Sequence, residues 1–341
     1  MQPPQALEEF QSAVQAEMQR LLADRDLPLY DMLRYHLGWA DAEGRPVSGE
    51  GGGKGLRSTL CLLVNQAVGG DVARALPVAA ALELIHSFSL IHDDIQDQSP
   101  ERRHRPAVWR IWGEAQAINA GDSLFTLGRL ALYGLLDLEV PPENVLHAER
   151  VLDETCLRLC EGQFHDMEFQ SRLDVSEESY LNMVEGKTAA LIETSCYLGA
   201  YLGTANAGHI GQFQRAGRHL GFAFQIRDDI LGIWGSEAEL GKPVAEDIRS
   251  RKKTLPVVYA LSHAGSLRDV LEGIYLRPRM SGLAVRRALE VFDELEARGH
   301  AQRVAEEHYH AALEEMEATV LHNRAMDQLK ELALFAIERE F

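Results

Sequence analysis

Asp93 and Asp94, followed by Asp97 in the segment SLIHDDIQDQ, are the residues whose type and spacing point most directly to chemistry. On a helix, residues four apart share one face with about 6 Å of rise between them, so Asp93 and Asp97 project side by side. The residues before them, Ala79 to Ile91, are mostly apolar, which places most of this helix in an interior. A second pair, Asp228 and Asp229, stands in GFAFQIRDDILGIWG, again within an apolar helical stretch. A solvated acidic face would explain either pair alone, but burying unpaired carboxylates costs several kcal/mol each. Two such clusters are tolerable if they face each other across a cavity and share divalent cations. Oxygen-only ligands at wet helix ends suit Mg²⁺, which keeps part of its water shell and recruits phosphate oxygens. Asp93, Asp94, Asp97, Asp228 and Asp229 are therefore candidate metal ligands.

The cations are local. Arg102 and Arg103 follow the first cluster, and guanidinium forks match diphosphate oxygens. Lys54 and Arg57 end the glycine-rich stretch Gly44–Gly55 and could clamp a second phosphate group. Lys242, Lys252 and Lys253 follow the second pair. The chain as a whole carries 34 basic and 52 acidic residues, a formal charge of −18. That balance repels phosphate backbones and argues against nucleic acid as a partner. Carboxylates with arginines shortly after them, repeated as carboxylates with lysines, read as Mg²⁺ bridging a diphosphate between two acidic helices.

The elements that must position these groups are helices. Apolar residues recur at helical period almost throughout, and hairpin signals such as Asn-Gly between β-rich runs are absent. The pattern predicts helices near residues 5–23, 56–69, 77–97, 108–119, 121–138, 143–172, 177–203, 208–234, 255–264, 282–298, 301–322 and 326–339, giving one all-α domain, 1–341, with a central bundle. Three connections stand out: Gly44–Gly55, the basic loop Gln98–Pro106, and Gly235–Thr254, about 20 residues without a clear helix. Cys61, Cys156, Cys160 and Cys196 are too few for a disulfide framework, and without further soft ligands Cys156 and Cys160 are packing residues rather than a zinc site. The N-terminus shows no secretory signal, and the apolar runs are broken before about 18 residues, so no spanning helix is expected. These features predict a soluble, cytoplasmic protein.

In sum these motifs make the chain resemble the trans-isoprenyl diphosphate synthases, the polyprenyl synthetase family, over essentially its whole length. Asp93-Asp94-Ile95-Gln96-Asp97 with Arg102-Arg103 resembles the first aspartate-rich motif, and Phe224-Gln225 with Asp228-Asp229 the second. Gly162-Gln163 with Asp166, and Lys187-Thr188, match two further signatures in order. The resemblance implies an isoprenoid-synthase helical bundle around a central active-site cavity. It implies that Asp93 and Asp97 ligate two Mg²⁺ ions on an allylic diphosphate and that Asp228 holds a third. Arg102, Lys187, Thr188, Gln225, Lys242 and Lys252 would contact the allylic substrate; Lys54, Arg57, His86 and Arg103 would bind isopentenyl diphosphate. Asp93, Asp97, Arg102, Lys187, Asp228 and Lys242 would carry the chemistry. The diphosphate departs to leave an allylic carbocation, the isopentenyl double bond attacks it, and released diphosphate removes the final proton. Family members usually form homodimers.

Four departures from the family pattern are visible. Gly232 stands where the second motif usually has its last aspartate, Gly55 and Ser58 replace an Arg and a Pro, His104 replaces a glycine, and Ala107 a threonine. Product length in the family depends on bulk four or five residues before the first aspartate, here Ser89 and Phe88. Those residues suggest geranylgeranyl diphosphate, with farnesyl or longer products as alternatives. A metal-dependent phosphohydrolase would use His92-Asp93 but leaves the second acidic helix unexplained. A class I terpene cyclase would not need Arg102-Arg103 with Lys54 and Arg57, and a catalytically weak regulatory subunit would have lost its aspartates.

Overall fold

The computed structural model describes residues 4–47, 53, 55–235, 245–277 and 280–338. The described helices are α1 Gln5–Leu22, α2 Pro28–His36, α3 Leu56–Ala67, α4 Val72–Gln96, α5 Val108–Trp112, α6 Glu114–Leu132, α7 Gly134–Asp137, α8 Pro142–Gln170, α9 Glu177–Val184, α10 Ala190–Gly203 and α11 Ala207–Trp234. They continue as α12 Glu246–Arg249, α13 Leu255–His263, α14 Arg268–Tyr275, α15 Gly282–Glu294, α16 Ala297–Ala318 and α17 Arg324–Glu338. A π-helical turn, Glu185–Ala189, joins α9 to α10. The sheet among the described residues is a two-residue antiparallel ribbon, β1 Glu101–Arg102 on β2 Arg105–Pro106. The all-α reading holds.

At the centre, α4 packs along α6 and α3, and α10 lies against α3 and α11. The main core joins fully buried Leu62, Leu63, Leu82, Leu84 and Ile85 with Phe213 and Leu329. Burying a leucine side chain stabilises by roughly 1.5–3 kcal/mol, so this layer fixes the height of the two acidic helices. Two smaller cores, around Val257, Leu271 and Phe292 and around Tyr180, Ile226 and Leu255, seat the C-terminal helices and the second acidic pair.

Several boundaries differ from the sequence expectation. Pro77 suggests a helix start, yet α4 begins five residues earlier, where the Asp71 side chain accepts from Ala73 N. The break expected at 119–121 falls instead at Gly113, whose φ of +83° favours glycine. Helices α2 and α14 are not among the predicted helices; α2 has Pro28 in its first turn, a start signal that periodicity alone passes over. One helix, Val72–Gln96, does meet the length and composition of a membrane span, contrary to expectation, but 67% of its apolar window is buried inside the bundle. Its apolarity is that of a core helix. All four cysteines are free, as expected, with Cys160 exposed and the others buried.

Candidate active site

The first acidic cluster sits in the last two turns of α4. Asp93 is partly buried and Asp97 exposed, while Asp94 is 2% exposed. Asp94 turns away from the others and pairs with Arg102, whose Nη2 donates to Oδ1 at 2.5 Å and Nε at 3.0 Å. Desolvation, with the repulsion of Asp97 added and the attraction of Lys187 opposing, pushes the Asp93 carboxyl up to about 6.

Arg102 and Arg103 are presented by the ribbon. Arg103 and His104 occupy its turn with φ of +54° and +59°, the pair of positive values that a two-residue type I′ hairpin requires. This explains why a glycine is the usual residue where His104 stands. The ribbon is tied down by α2: Arg105 donates to Ala40 O at 2.8 Å and to Tyr35 O at 3.2 Å, and Tyr35 Oη donates to Pro106 O at 2.8 Å. The helix that periodicity missed is thus the anchor of the arginine pair. His86, on α4, lies in the field of Arg57, Arg103 and Arg102; burial first, then these cations, hold its pKa well below the ordinary value, so it is a neutral hydrogen-bonding group.

The second cluster repeats the division of labour. Asp229 is 1% exposed and fully engaged: Tyr180 Oη donates to Oδ2 at 2.5 Å, Leu255 N to Oδ2 at 3.0 Å, and Gln225 Nε2 to Oδ1 at 2.8 Å. Its carboxyl caps the first turn of α13. Burial pushes it up to about 6, against the attraction of Lys252. Asp228 is partly exposed beside it. Gln225 Oε1 in turn accepts from Thr188 Oγ1 at 2.6 Å, which links the π turn to α11.

Between the clusters runs an alternating chain of charge. Lys187 acts on Asp93 and donates to Asp166 Oδ2 at 2.5 Å. Asp166, on α8, is 2% exposed; burial opposes its ionisation, but Lys187 and Lys252 hold its carboxyl below the usual range. Burial would lower Lys252, yet Asp247, Asp166, Asp229 and Asp228 hold it well above the usual lysine value. Lys187, Asp166 and Lys252 are therefore charges that act on one another and on both aspartate pairs, with Lys187 and Asp166 in direct contact. Lys187 reaches this position because Gly162 lets the π turn lie directly on α8; a Cβ there would overlap Lys187 N.

Other expected groups are distributed as follows. Lys54 and Lys242 lie outside the described residues. Lys253 is taken up by backbone carbonyls: 1% exposed, it donates to Gln170 O at 3.0 Å and Arg251 O at 3.1 Å. Ser89 Oγ donates to His86 O at 2.9 Å, whereas Phe88 packs edge-on against Phe125 of α6, with ring centroids 5.3 Å apart, and against His92. A Cβ on Gly232 would overlap the Asp247 carboxylate, so Asp247 fills the space where a third aspartate would project. Tyr180 and Asp247 carried no sequence signal, because neither lies in a motif with the aspartates they serve.

Among the described residues no three acidic, His or Cys side chains converge tightly enough to hold an ion by themselves. The donor set nevertheless fits Mg²⁺: carboxylates from two helices, one with an elevated pKa from crowding and burial, around lysines and arginines that suit phosphate oxygens.

Residues 48–292 match the polyprenyl synthetase family model. The chain is 39% identical to a (2E,6E)-farnesyl diphosphate synthase of Mycobacterium tuberculosis over 326 residues, covering 94% of this chain and 89% of that protein. A geranylgeranyl diphosphate synthase of the same organism is 42% identical over 288 residues, covering 84% and 81%. The crystal structure of a polyprenyl synthetase from Streptomyces coelicolor A3(2) superposes with a TM-score of 0.89 at 33% identity, covering 98% of this chain and 100% of that one.

Proposed function

This chain belongs to the polyprenyl synthetase family of prenyltransferases, and from that premise we propose that it condenses isopentenyl diphosphate with an allylic diphosphate to make geranylgeranyl diphosphate. The observation that carries the reading is the set of cations beside the two aspartate-bearing helices: Lys187, bonded to Asp166 at 2.5 Å and acting on Asp93, and Lys252, acted on by Asp166, Asp229 and Asp228. Asp93, Asp97 and Asp228 are the direct ligands we assign to Mg²⁺, three ions by the family pattern. Asp94 and Asp229, already engaged with Arg102 and with Tyr180, Gln225 and Leu255, hold those ligands in place. Bound Mg²⁺ neutralises diphosphate oxygens and makes the diphosphate a better leaving group.

The protein's own groups do the rest. Arg102, Lys187 and Lys252 receive the charge that develops on the departing diphosphate, and their preorganisation by Asp94 and Asp166 means that little rearrangement is needed as that charge grows. Lys242 and Thr188 complete this half of the site. Arg57, His86 and Arg103, with Lys54, orient isopentenyl diphosphate so that its double bond meets the allylic carbon. The apolar walls of α4, α6 and α10 exclude water from the cation.

We read the contact of Phe88 with Phe125 of α6 as the floor of the elongation cavity, which supports a short product. That bulk also favours farnesyl diphosphate as the second reading. The test is to incubate the protein with Mg²⁺, isopentenyl diphosphate and, separately, dimethylallyl, geranyl and farnesyl diphosphates and size the products by chromatography. A twenty-carbon product from the wild type and longer ones from Phe88→Ala are expected; no condensation with any allylic diphosphate in folded protein would overturn the reading.

We also propose a homodimer. Leu146, Leu157 and Phe164 on α8 are exposed large apolar side chains spaced eleven and seven residues apart, hence one stripe, and Ile118 and Tyr133 are exposed on and beside neighbouring α6. Light scattering on the eluting protein should give twice the chain mass.

A further inference from the structure

The first turn of α3 carries Arg57, yet α3 has no cap of its own. Its N-cap is Gly55, with φ of +64° and no side chain to accept from the orphan N–H groups of the first turn. The acceptor comes from another helix. Glu83 of α4, 9% exposed, takes the Ser58 N–H on Oε1 at 3.0 Å, while Ser58 Oγ donates to Gly55 O at 2.9 Å. The N–H that Glu83 captures exists because position 58 is serine; a proline there has none. A carboxylate at this end of a helix is also favoured by the helix dipole.

The same carboxylate serves the other side of the hollow. Glu83, Ser58, Gly53, Gly55 and Arg103 line one open pocket. The Arg103 guanidinium lies over Gly53, 2.7 Å from where a Cβ would stand, and the Glu83 charge acts on it favourably. Glu83 therefore meets the first turn of α3, which carries Arg57, and acts on Arg103 as well, on the helix that ends in Asp93 and Asp97.

We propose that Glu83 is a positioning residue for isopentenyl diphosphate: by capping α3 and facing Arg103 it sets the two arginines at a fixed spacing from each other and from the acidic end of α4. This rests on reading Arg57 and Arg103 as the ligands of isopentenyl diphosphate. The role differs from that of the aspartates, since Glu83 touches neither substrate.

The test is calorimetric binding of isopentenyl diphosphate to wild type, Glu83→Gln and Glu83→Ala, with steady-state rates varying each substrate in turn. Glu83→Ala should weaken binding and raise KM for isopentenyl diphosphate about tenfold, leaving kcat and the allylic KM within twofold; Glu83→Gln, which keeps an acceptor for Ser58 N, should show about a threefold rise. Melting temperatures keep the comparison among folded proteins, and Glu83→Gln serves if Glu83→Ala does not fold. Unchanged binding in both variants, or an equal loss for both substrates, overturns the proposal while leaving the site reading intact. A wild type that binds no isopentenyl diphosphate overturns the site reading and the proposal with it.

Discussion

The two aspartate pairs are built alike and anchored differently. In each, the first residue faces the mouth and the second is buried in the protein. Asp94 is held by a charged partner, Arg102, which is itself a group we propose to bind phosphate. Asp229 is held by neutral donors, Tyr180, Gln225 and the Leu255 N–H. The first anchor can be exchanged, because a diphosphate arriving at Arg102 can share the guanidinium with Asp94. The second cannot, because its donors are buried side chains and a helix terminus. The α4 pair is thus anchored through a cation and the α11 pair through neutral donors, although their sequences look interchangeable.

The largest effect should come from breaking the facing side of the first pair. Asp93→Asn is expected to lower kcat/KM by at least about 10³-fold, several kcal/mol of lost charge stabilisation, with the melting temperature little changed. Next, Asp229→Ala should cost about 3–4 kcal/mol of stability in chemical denaturation, since it strands three buried donors at once.

The neutral anchoring of Asp229 also predicts a pH signature. Its folded carboxyl titrates near 6 and its unfolded one near about 3.9, so below about pH 4 it is protonated in both states and no penalty exists. As pH rises from about 4 to 6 the unfolded chain loses the proton first, and stability falls by up to about 3 kcal/mol, then levels off. Asp229→Asn should flatten that segment of the stability–pH curve. The smallest effect belongs to the ribbon: His104→Gly relieves a left-handed residue in the turn and should stabilise by about 0.5–1 kcal/mol in thermal melts.

Much of this was legible in the residues. Adjacent aspartates inside apolar helices single out both candidate ends of the site, since carboxylates placed there need compensating partners, and helical periodicity gives the long helices that carry them. What stayed hidden is what depends on contacts between distant segments. The division of each pair into a facing and an anchoring residue cannot be read from adjacency, because Tyr180 and Leu255 lie 49 and 26 residues from Asp229. Helix α2 is too short for its period to show, yet Tyr35 is what fixes the arginine ribbon. Gly232 looks like a lost ligand in sequence; in three dimensions its missing side chain makes room for Asp247.

The most direct measurement is calorimetric binding of inorganic diphosphate in Mg²⁺ to four single variants: Asp93→Asn, Asp94→Asn, Asp228→Asn and Asp229→Asn. Folded Asp93→Asn and Asp228→Asn should each lose at least tenfold in affinity, whereas Asp229→Asn should retain wild-type affinity wherever it remains folded and Asp94→Asn, whose arginine stays available, should retain it within a few-fold. Wild-type binding in Asp93→Asn and Asp228→Asn, or a loss confined to Asp94→Asn and Asp229→Asn, would contradict the assignment of facing and anchoring carboxylates.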